Sequence, residues 1–154
     1  MLSFDITDRH IRVVHGIENR GRIKIYDATT IEVSEGLIVN GHIKDIPKVA
    51  TLINEELKAK KISDKDAVVS ISSNLVIFKE LHIPKAKGMQ LLTMVQNQMQ
   101  HTMGISDDYS ISYTIAGDIE EDGVQAQRIL ATACPFEIVD CFRKVFGFLG
   151  INLK

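Results

Sequence analysis

The sequence has 154 residues, with 18 Lys and Arg against 20 Asp and Glu, a formal net charge of −2 and 45% hydrophobic residues. This composition is typical of a folded protein and excludes a disordered or fibrous chain. It also argues against a nucleic-acid partner, because duplex-binding modules need an excess of Lys and Arg to neutralise phosphates.

The first part of the chain predicts a strand meander followed by a helix. Apolar runs at Leu2–Ile6 and Ile11–Val14 flank a polar turn, and a long alternating run covers Arg22–Val33. The segment Gly36–Ile43 contains Asn-Gly, which favours a hairpin or a loop. In Asp45–Lys61 the apolar residues recur with the period of a helix, and the first residue is a plausible N-cap.

A second group of elements follows a polar interruption at Ser72-Ser73-Asn74. Before it, Asp66–Ser72 predicts a strand that is buried on both faces. After it, the pattern predicts a strand, a helix, a hairpin of two strands and a second helix: Leu75–Ile83, Ala86–Met103, Tyr109–Ala116, Val124–Cys134 and Pro135–Gly150. Ile151–Leu153 begins a further strand, so we expect a sheet that continues beyond Lys154.

The helix predicted over Ala86–Met103 has two distinct sides. One side is an apolar stripe that we expect to pack into the core: Met89, Leu92, Val95, Met99 and Met103. The other side is polar but almost uncharged: Gln90, Gln96, Asn97, Gln98, Gln100 and His101. Depleted charge is a bias of protein interfaces, so this side is a candidate partner surface, with an ordinary solvated face as the alternative.

Patterns for catalysis, metal binding or membrane insertion are lacking. The sequence has no G-x-S-x-G, P-loop or G-x-G-x-x-G motif, and its histidines and its cysteines, Cys134 and Cys141, are not spaced as ligand pairs. We predict no catalytic residue, no metal site and reduced, structural thiols. The acidic clusters Asp107-Asp108 and Glu120-Glu121-Asp122 are expected to be solvated loop charges. No stretch reaches the roughly 18 to 20 apolar residues that cross a bilayer, which favours a cytoplasmic protein.

The turn between the first two strands is a candidate phosphate site. It places Asp5 at a strand end and backbone amides in the turn that leads to Arg12. Such a hairpin can hold a phosphate and its Mg²⁺, and the alternative is a turn that binds nothing.

Several segments, in this order and spacing, carry a resemblance to a known family: Leu2-Ser3-Phe4-Asp5-Ile6, Ile11-Arg12-Val13-Val14, Gly36–Asp45, Val68-Val69-Ser70-Ile71, Val76–Pro84 and Pro135–Asp140. The chain resembles the N-terminal half of the PilM family, actin-like proteins of type IV pilus assembly, and more distantly FtsA of cell division. The resemblance implies an α+β fold. Residues 1–73, resumed at 151–154, would be half of an actin-like, ribonuclease H-like subdomain. Residues 74–150 would be an inserted strand-helix-strand-strand-helix subdomain.

The resemblance implies a cytoplasmic adaptor without catalytic activity. Such an adaptor would bind the cytoplasmic N-terminal peptide of a PilN-like inner-membrane protein in a groove between the two subdomains, work with other pilus assembly proteins, and lie at the inner membrane through its partner. The contact residues that we select from the strand and helix of the insert are Leu75, Ile77, Phe78, Gln96 and Gln100. The competing hypothesis is an FtsA-like, nucleotide-binding division protein.

The resemblance also maps Asp5, Thr7, Asp8 and Arg12 onto the family's first phosphate loop. The loop is degenerate here, because Thr7 stands where the family has Gly and Asp8 stands where a hydroxyl residue is expected. The second phosphate loop and the adenosine pocket would lie beyond Lys154. We therefore expect no cofactor and no ATP hydrolysis in this chain, with ATP and Mg²⁺ as cofactors only of a longer protein.

Overall fold

The computed structural model describes residues 1–121 and 123–154. Asp122, which falls in the predicted acidic turn, lies outside the described residues. The strands are β1 Leu2–Ile6, β2 His10–Asn19, β3 Arg22–Glu32, β4 Ile38–Val39, β5 His42–Ile43, β6 Asp66–Ile71, β7 Ile77–Pro84, β8 Tyr109–Glu121, β9 Val124–Pro135 and β10 Asn152–Leu153. The helices are α1 Ile46–Ala59, α2 Gly88–Met103 and α3 Phe136–Phe148. These elements form two compact units: Met1–Asn74 with Glu137–Lys154, and Leu75–Phe136.

The first unit is built on a five-stranded mixed sheet with the order β10-β6-β1-β2-β3. β1 lies antiparallel to β2 and parallel to β6, and β10 lies parallel to β6. The return from the β1–β2–β3 meander to β6 runs through α1, as a parallel connection requires. The Gly36–Ile43 segment forms the two-stranded hairpin β4–β5, as predicted.

Both long helices of the first unit cover the same face of this sheet. Phe4 pairs with Val13, which in turn pairs with Thr29, so the three side chains lie on one face. The ring of Phe146 in α3 meets the ring of Phe4 edge-on at 4.9 Å between centroids. On the same face, the hydroxyl of Thr29 donates to Glu56 of α1 at 2.6 Å.

This packing corrects two expectations. The helix after Pro135 was predicted as part of the insert up to Gly150, but its apolar side packs in the first unit. β6 was predicted to be buried on both faces, yet only Ala67 is fully buried, and Val68 on the opposite face is half-buried. A one-sided layer of helices explains this, because it covers alternate side chains of a strand.

The helix starting after Asp45 is confirmed, together with its cap. The Asp45 carboxylate accepts a hydrogen bond from the backbone N–H of Lys48 at 3.0 Å. This bond satisfies one of the amides that lack an intrahelical partner. The buried face of α1 consists of Val49, Ala50, Ile53 and Leu57.

The second unit is a three-stranded antiparallel sheet, β7-β9-β8, with α2 over one face. The buried side of α2 consists of Leu91, Val95 and Met99, spaced four residues apart. The predicted stripe was therefore wrong at its ends, since Met89 and Met103 are exposed and Leu92 is only half-buried. Gly104 ends the helix in the left-handed conformation, with φ of 62°.

Candidate functional site

The turn between β1 and β2 is closed by its own hydrogen bonds. The Thr7 hydroxyl donates to the carbonyl of His10 at 3.0 Å and accepts from the amide of the same residue at 3.1 Å. The Arg12 guanidinium pairs with the Asp5 carboxylate at 2.8 Å across the two strands. The structure thus brings Asp5 and Arg12 together, and the two side chains bind each other.

The Asp8 carboxylate is bound by two successive backbone amides of the β4–β5 turn. Its two oxygens accept from Asn40 N at 2.8 Å and from Gly41 N at 3.2 Å. Both donors have positive φ, 52° and 79°. Successive amides in such a conformation form a concavity that binds anions, and here the anion is the side chain of Asp8.

The side chain of Asn40 extends this network to Ser73 and Asn74, where the chain leaves the first unit. Its carbonyl oxygen accepts from the amide of Asn74 at 2.9 Å and from the hydroxyl of Ser73 at 3.3 Å, and its amide group donates to the Asn74 side chain. Gly41 is packed so closely that a Cβ there would lie 2.8 Å from the carbonyl oxygen of Ser72. The β1–β2 turn, the β4–β5 turn and residues 72–74 surround an open cleft of about 590 Å³. It is lined by Thr7, Asp8, Arg9, His10, Asn40, Ser72, Ser73 and Asn74.

The residues of this cleft do not fit the phosphate of a nucleotide. The pair of amides suited to an oxyanion is bonded to Asp8, and a second anion would meet the charge of this carboxylate. Arg9 brings positive charge to the cleft, but the guanidinium of Arg12 is held by Asp5. In the segment mapped onto the phosphate loop, the charged groups of Asp5, Asp8 and Arg12 are therefore bound by other groups of the protein.

The residues predicted for partner binding lie in the second unit, on β7, just before β7 and on α2. Phe78 is 66% exposed, and the preceding Leu75 is also exposed. Ile77 is half-buried and packs on the core of this unit, so it points away from the side that carries Phe78. Gln96 and Gln100 are half-buried on α2, and Gln100 donates to Asp107 at 2.9 Å. The structure does not gather these residues into one patch.

A hollow beside them was missed. It has a volume of about 440 Å³ and is lined by Lys79, Glu80, Leu81, His82, Gln98 and Thr102. β7 is an edge strand, since it pairs only with β9 among the residues described. Gln98 and Thr102 are one helical turn apart, so the sequence alone places both on one side of α2. Only the structure shows that the edge strand β7 lies beside them.

Two residues with shifted pKa values, Asp118 and Cys141, lie outside the cleft and the hollow. A hydrogen bond from Lys85 and the charge of this residue lower the pKa of Asp118, at a Nζ to Oδ2 distance of 2.7 Å, and burial raises the pKa of the Cys141 thiol. Over residues 1–121 and 123–154, no group of three or more His, Cys, Asp or Glu side chains could hold a metal ion. In the same residues, no helix has the length and apolarity that a bilayer crossing demands.

Comparison with known proteins assigns the fold and the family. Residues 3–150 match the family described as type IV pilus assembly protein PilM. A solved structure titled PilM-PilN type IV pilus biogenesis complex superposes with a TM-score of 0.86 at 16% identity, covering 99% of this chain and 45% of that chain. The chain thus spans less than half the length of the solved chain that it matches. No curated protein matches the sequence.

This likeness confirms the predicted α+β, actin-like fold. The family match covers nearly the whole chain and confirms the resemblance that the segments from Leu2 to Asp140 carried. The chain belongs to the PilM family of type IV pilus assembly proteins.

Proposed function

We propose that this chain is the peptide-binding part of a type IV pilus assembly adaptor at the cytoplasmic side of the inner membrane. Its partner would be the cytoplasmic N-terminal segment of a PilN-like membrane protein. Two findings support the proposal: the family is described as one of pilus assembly, and the similar solved structure is titled as a complex of PilM with PilN.

The observation that carries the binding mode is the edge position of β7, whose only strand partner among the described residues is β9. An extended peptide can add to such an edge through main-chain hydrogen bonds, while alternate side chains enter pockets beside it. Phe78 offers apolar surface on one side of the strand. The hollow between β7 and α2 offers a place for side chains of the peptide near Gln98 and Thr102.

We further propose that the chain acts without catalysis. An adaptor needs only binding energy, and the internally ligated cleft at Asp8 supports a role that does not depend on a phosphate in this part of the protein. ATP and Mg²⁺ remain proposals for a longer protein.

A calorimetric titration of the full chain with a synthetic peptide of the PilN-like N-terminal segment tests this function. We expect saturable, micromolar binding. The variant Phe78→Asp should weaken it by at least about tenfold, since a carboxylate on the docking side cannot bury against apolar peptide side chains. The matched control is Met89→Asp, because Met89 is also largely exposed, at 74% against 66% for Phe78, and lies in the same unit but at the start of α2.

Peptides methylated at alternate backbone nitrogens test strand addition directly. Methylation in one register removes the donors that face β7 and should abolish binding, whereas methylation in the other register should be tolerated. Equal effects of Phe78→Asp and Met89→Asp would contradict the β7 site. Absence of heat with the full-length protein, together with binding of Mg·ATP, would favour the FtsA-like, nucleotide-binding alternative.

A further inference from the structure

The distal part of the β2–β3 hairpin extends beyond the sheet that supports it. β1 pairs with β2 only as far as the Leu2–His15 pair, whereas the β2–β3 ladder continues to the pair of Asn19 and Arg22. At its base, Gly16 still exchanges two hydrogen bonds with Met1, at 3.1 and 3.0 Å. Beyond this point the hairpin is two-stranded, and we call residues 16–26 the distal arm. Isolated two-stranded ribbons are marginally stable in water, so this arm gains little from its own pairing.

The distal arm exposes more apolar surface than a solvated hairpin requires. Ile23 is 76% exposed and Ile25 is 60% exposed, and strand alternation places both on one face. Ile17 and Tyr26 add further exposed apolar groups. Clustered exposed apolar residues on a water-soluble surface mark sites of interaction.

The arm is also basic. Its three cations, Arg20, Arg22 and Lys24, outnumber its one carboxylate, Glu18. Glu18 pairs with Ile23 across the strands, and its carboxylate accepts a hydrogen bond from the amide of Gly21 at 3.0 Å within the turn. The ammonium group of Lys24 lies 5.3 Å from the ring centroid of Tyr26. Asn19, Arg20 and Arg22 line an open hollow of about 560 Å³ at the tip.

The outer edge of β3 offers the backbone groups that a partner strand would use. In the five-stranded sheet β3 is the last strand, and among the described residues its only strand partner is β2. The long edge strand thus carries a free row of N–H and C=O groups, which is a template for pairing with another chain.

We propose that the distal arm binds an extended acidic segment of another protein as an added strand on the edge of β3. The side chains of Ile23 and Ile25 would meet apolar residues of this segment on one face. Arg22 and Lys24 would meet Asp or Glu on the other face, because side chains of paired strands that lie opposite each other interact directly. The partner therefore alternates apolar and acidic residues with a period of two.

Two other occupants fit the arm less well. A second copy of this chain would place one basic arm beside another, without the charge complementarity that an acidic segment provides. An anionic membrane attracts surfaces that present cations and apolar groups on the same side. On β3, Arg22 and Lys24 lie on the face opposite Ile23 and Ile25, the two most exposed apolar side chains of the arm, and share their own face with Ile17 and the Tyr26 ring. A membrane bound to the cationic face would therefore leave Ile23 and Ile25 on the other side.

The test is the binding of a fluorescein-labelled peptide, four repeats of Glu-Val with blocked ends, to the full chain by fluorescence anisotropy. We expect binding that weakens as salt is added. The double variant Arg22→Glu with Lys24→Glu should lose at least tenfold in affinity for this peptide and should gain affinity for the matching Lys-Val peptide. The control is Lys48→Glu with Lys58→Glu, which makes the same charge change on exposed positions of α1.

If circular dichroism shows that the charge variant does not fold, the double variant Ile23→Ser with Ile25→Ser replaces it. The same loss of affinity for the Glu-Val peptide is expected. Equal losses in the arm and α1 variants, or no binding by the unmodified chain, would overturn the proposal. So would arm-dependent dimers in light scattering, or arm-dependent binding to phosphatidylserine vesicles without peptide binding. Phe78→Asp should leave the acidic peptide bound, so a failure here is separate from a failure at β7.

Discussion

Asn40 shows how one residue connects parts of the chain that are distant in sequence. Its backbone amide and that of Gly41 bind the Asp8 carboxylate, while its side chain binds Ser73 and Asn74. The left-handed conformation of Asn40 makes this possible, and Asn tolerates that conformation better than most residues. The phosphate-loop assignment of Asp8 remains a prediction, but its contacts are those of an internal ligand.

The variant Asp8→Ala tests that role. It leaves two loop amides without their acceptor, and because the carboxylate is exposed we expect a loss of only about 1 kcal/mol in the free energy of unfolding. Urea denaturation measures the change. Glu55→Ala, at an exposed position of α1, should change the free energy by less than about 0.5 kcal/mol. Equal effects of the two variants would mean that the Asp8 bonds contribute nothing.

The Cys141 thiol should be unreactive in the folded protein. Burial raises its pKa, and its Sγ–H donates to the carbonyl of Ile138 at 3.0 Å. In a Cys134→Ser background, reaction with Ellman's reagent at pH 8 should be at least about tenfold slower than in denaturant. Rates that match would contradict the buried position.

The same pKa shift has a consequence for stability. Because the folded pKa of Cys141 is raised, the stabilisation linked to its proton is complete below the unfolded value of about 8.5 and is lost as the pH rises through the raised pKa. Stability measured between pH 8 and pH 10 should fall more steeply with Cys141 than in a Cys141→Ala variant. If the free energy of unfolding had the same pH dependence in both proteins, the raised pKa of Cys141 would be contradicted.

At the scale of the element, local sequence patterns predicted where the helices begin and end better than they predicted which side of each helix is buried. The N-cap of α1 and the left-handed end of α2 at Gly104 follow from the residue types at those positions. The predicted stripe of α2 mixed steps of three and four residues and left out Leu91, whereas the buried side is a single row at four-residue spacing, Leu91, Val95 and Met99. Likewise, polar residues continue β2 to Asn19, where no apolar alternation marks a strand.

The cap of α1 can be tested with a matched pair. Asp45→Ala removes the acceptor for the Lys48 amide and should lower the free energy of unfolding by about 1 kcal/mol, whereas Asp45→Ser keeps a side-chain acceptor and should remain close to the unmodified chain. Thermal or urea unfolding measures both. If Ser is as destabilising as Ala, the cap bond is not the cause.

At the scale of the whole molecule, the chain leaves its first unit after Asn74 and returns to it with α3. Each unit has a core of its own. The first holds Phe4 and Phe146, and the second holds Leu91 and Val95 on the β7-β9-β8 sheet. Separate cores imply that damage to one core acts first on the unit that contains it.

Hydrogen exchange with mass spectrometry tests this division. Phe146→Ala removes a fully buried ring, with an expected loss of about 3 to 5 kcal/mol, and should raise exchange in residues 1–74 and 137–154. Val95→Ala should raise exchange in residues 75–136 instead. If Phe146→Ala mainly deprotects residues 75–136, α3 belongs with the insert after all.

The sequence by itself determined the order of strands and helices, the absence of catalytic motifs and the family. These depend on residue types at short spacing, which the chain carries in any conformation. Only the tertiary structure decided that α3 covers the first sheet, that Asp8 occupies the amides of Asn40 and Gly41, and that β7 and β3 end their sheets. Each of these depends on contacts between residues far apart in the chain, and such contacts leave no periodic trace in the sequence.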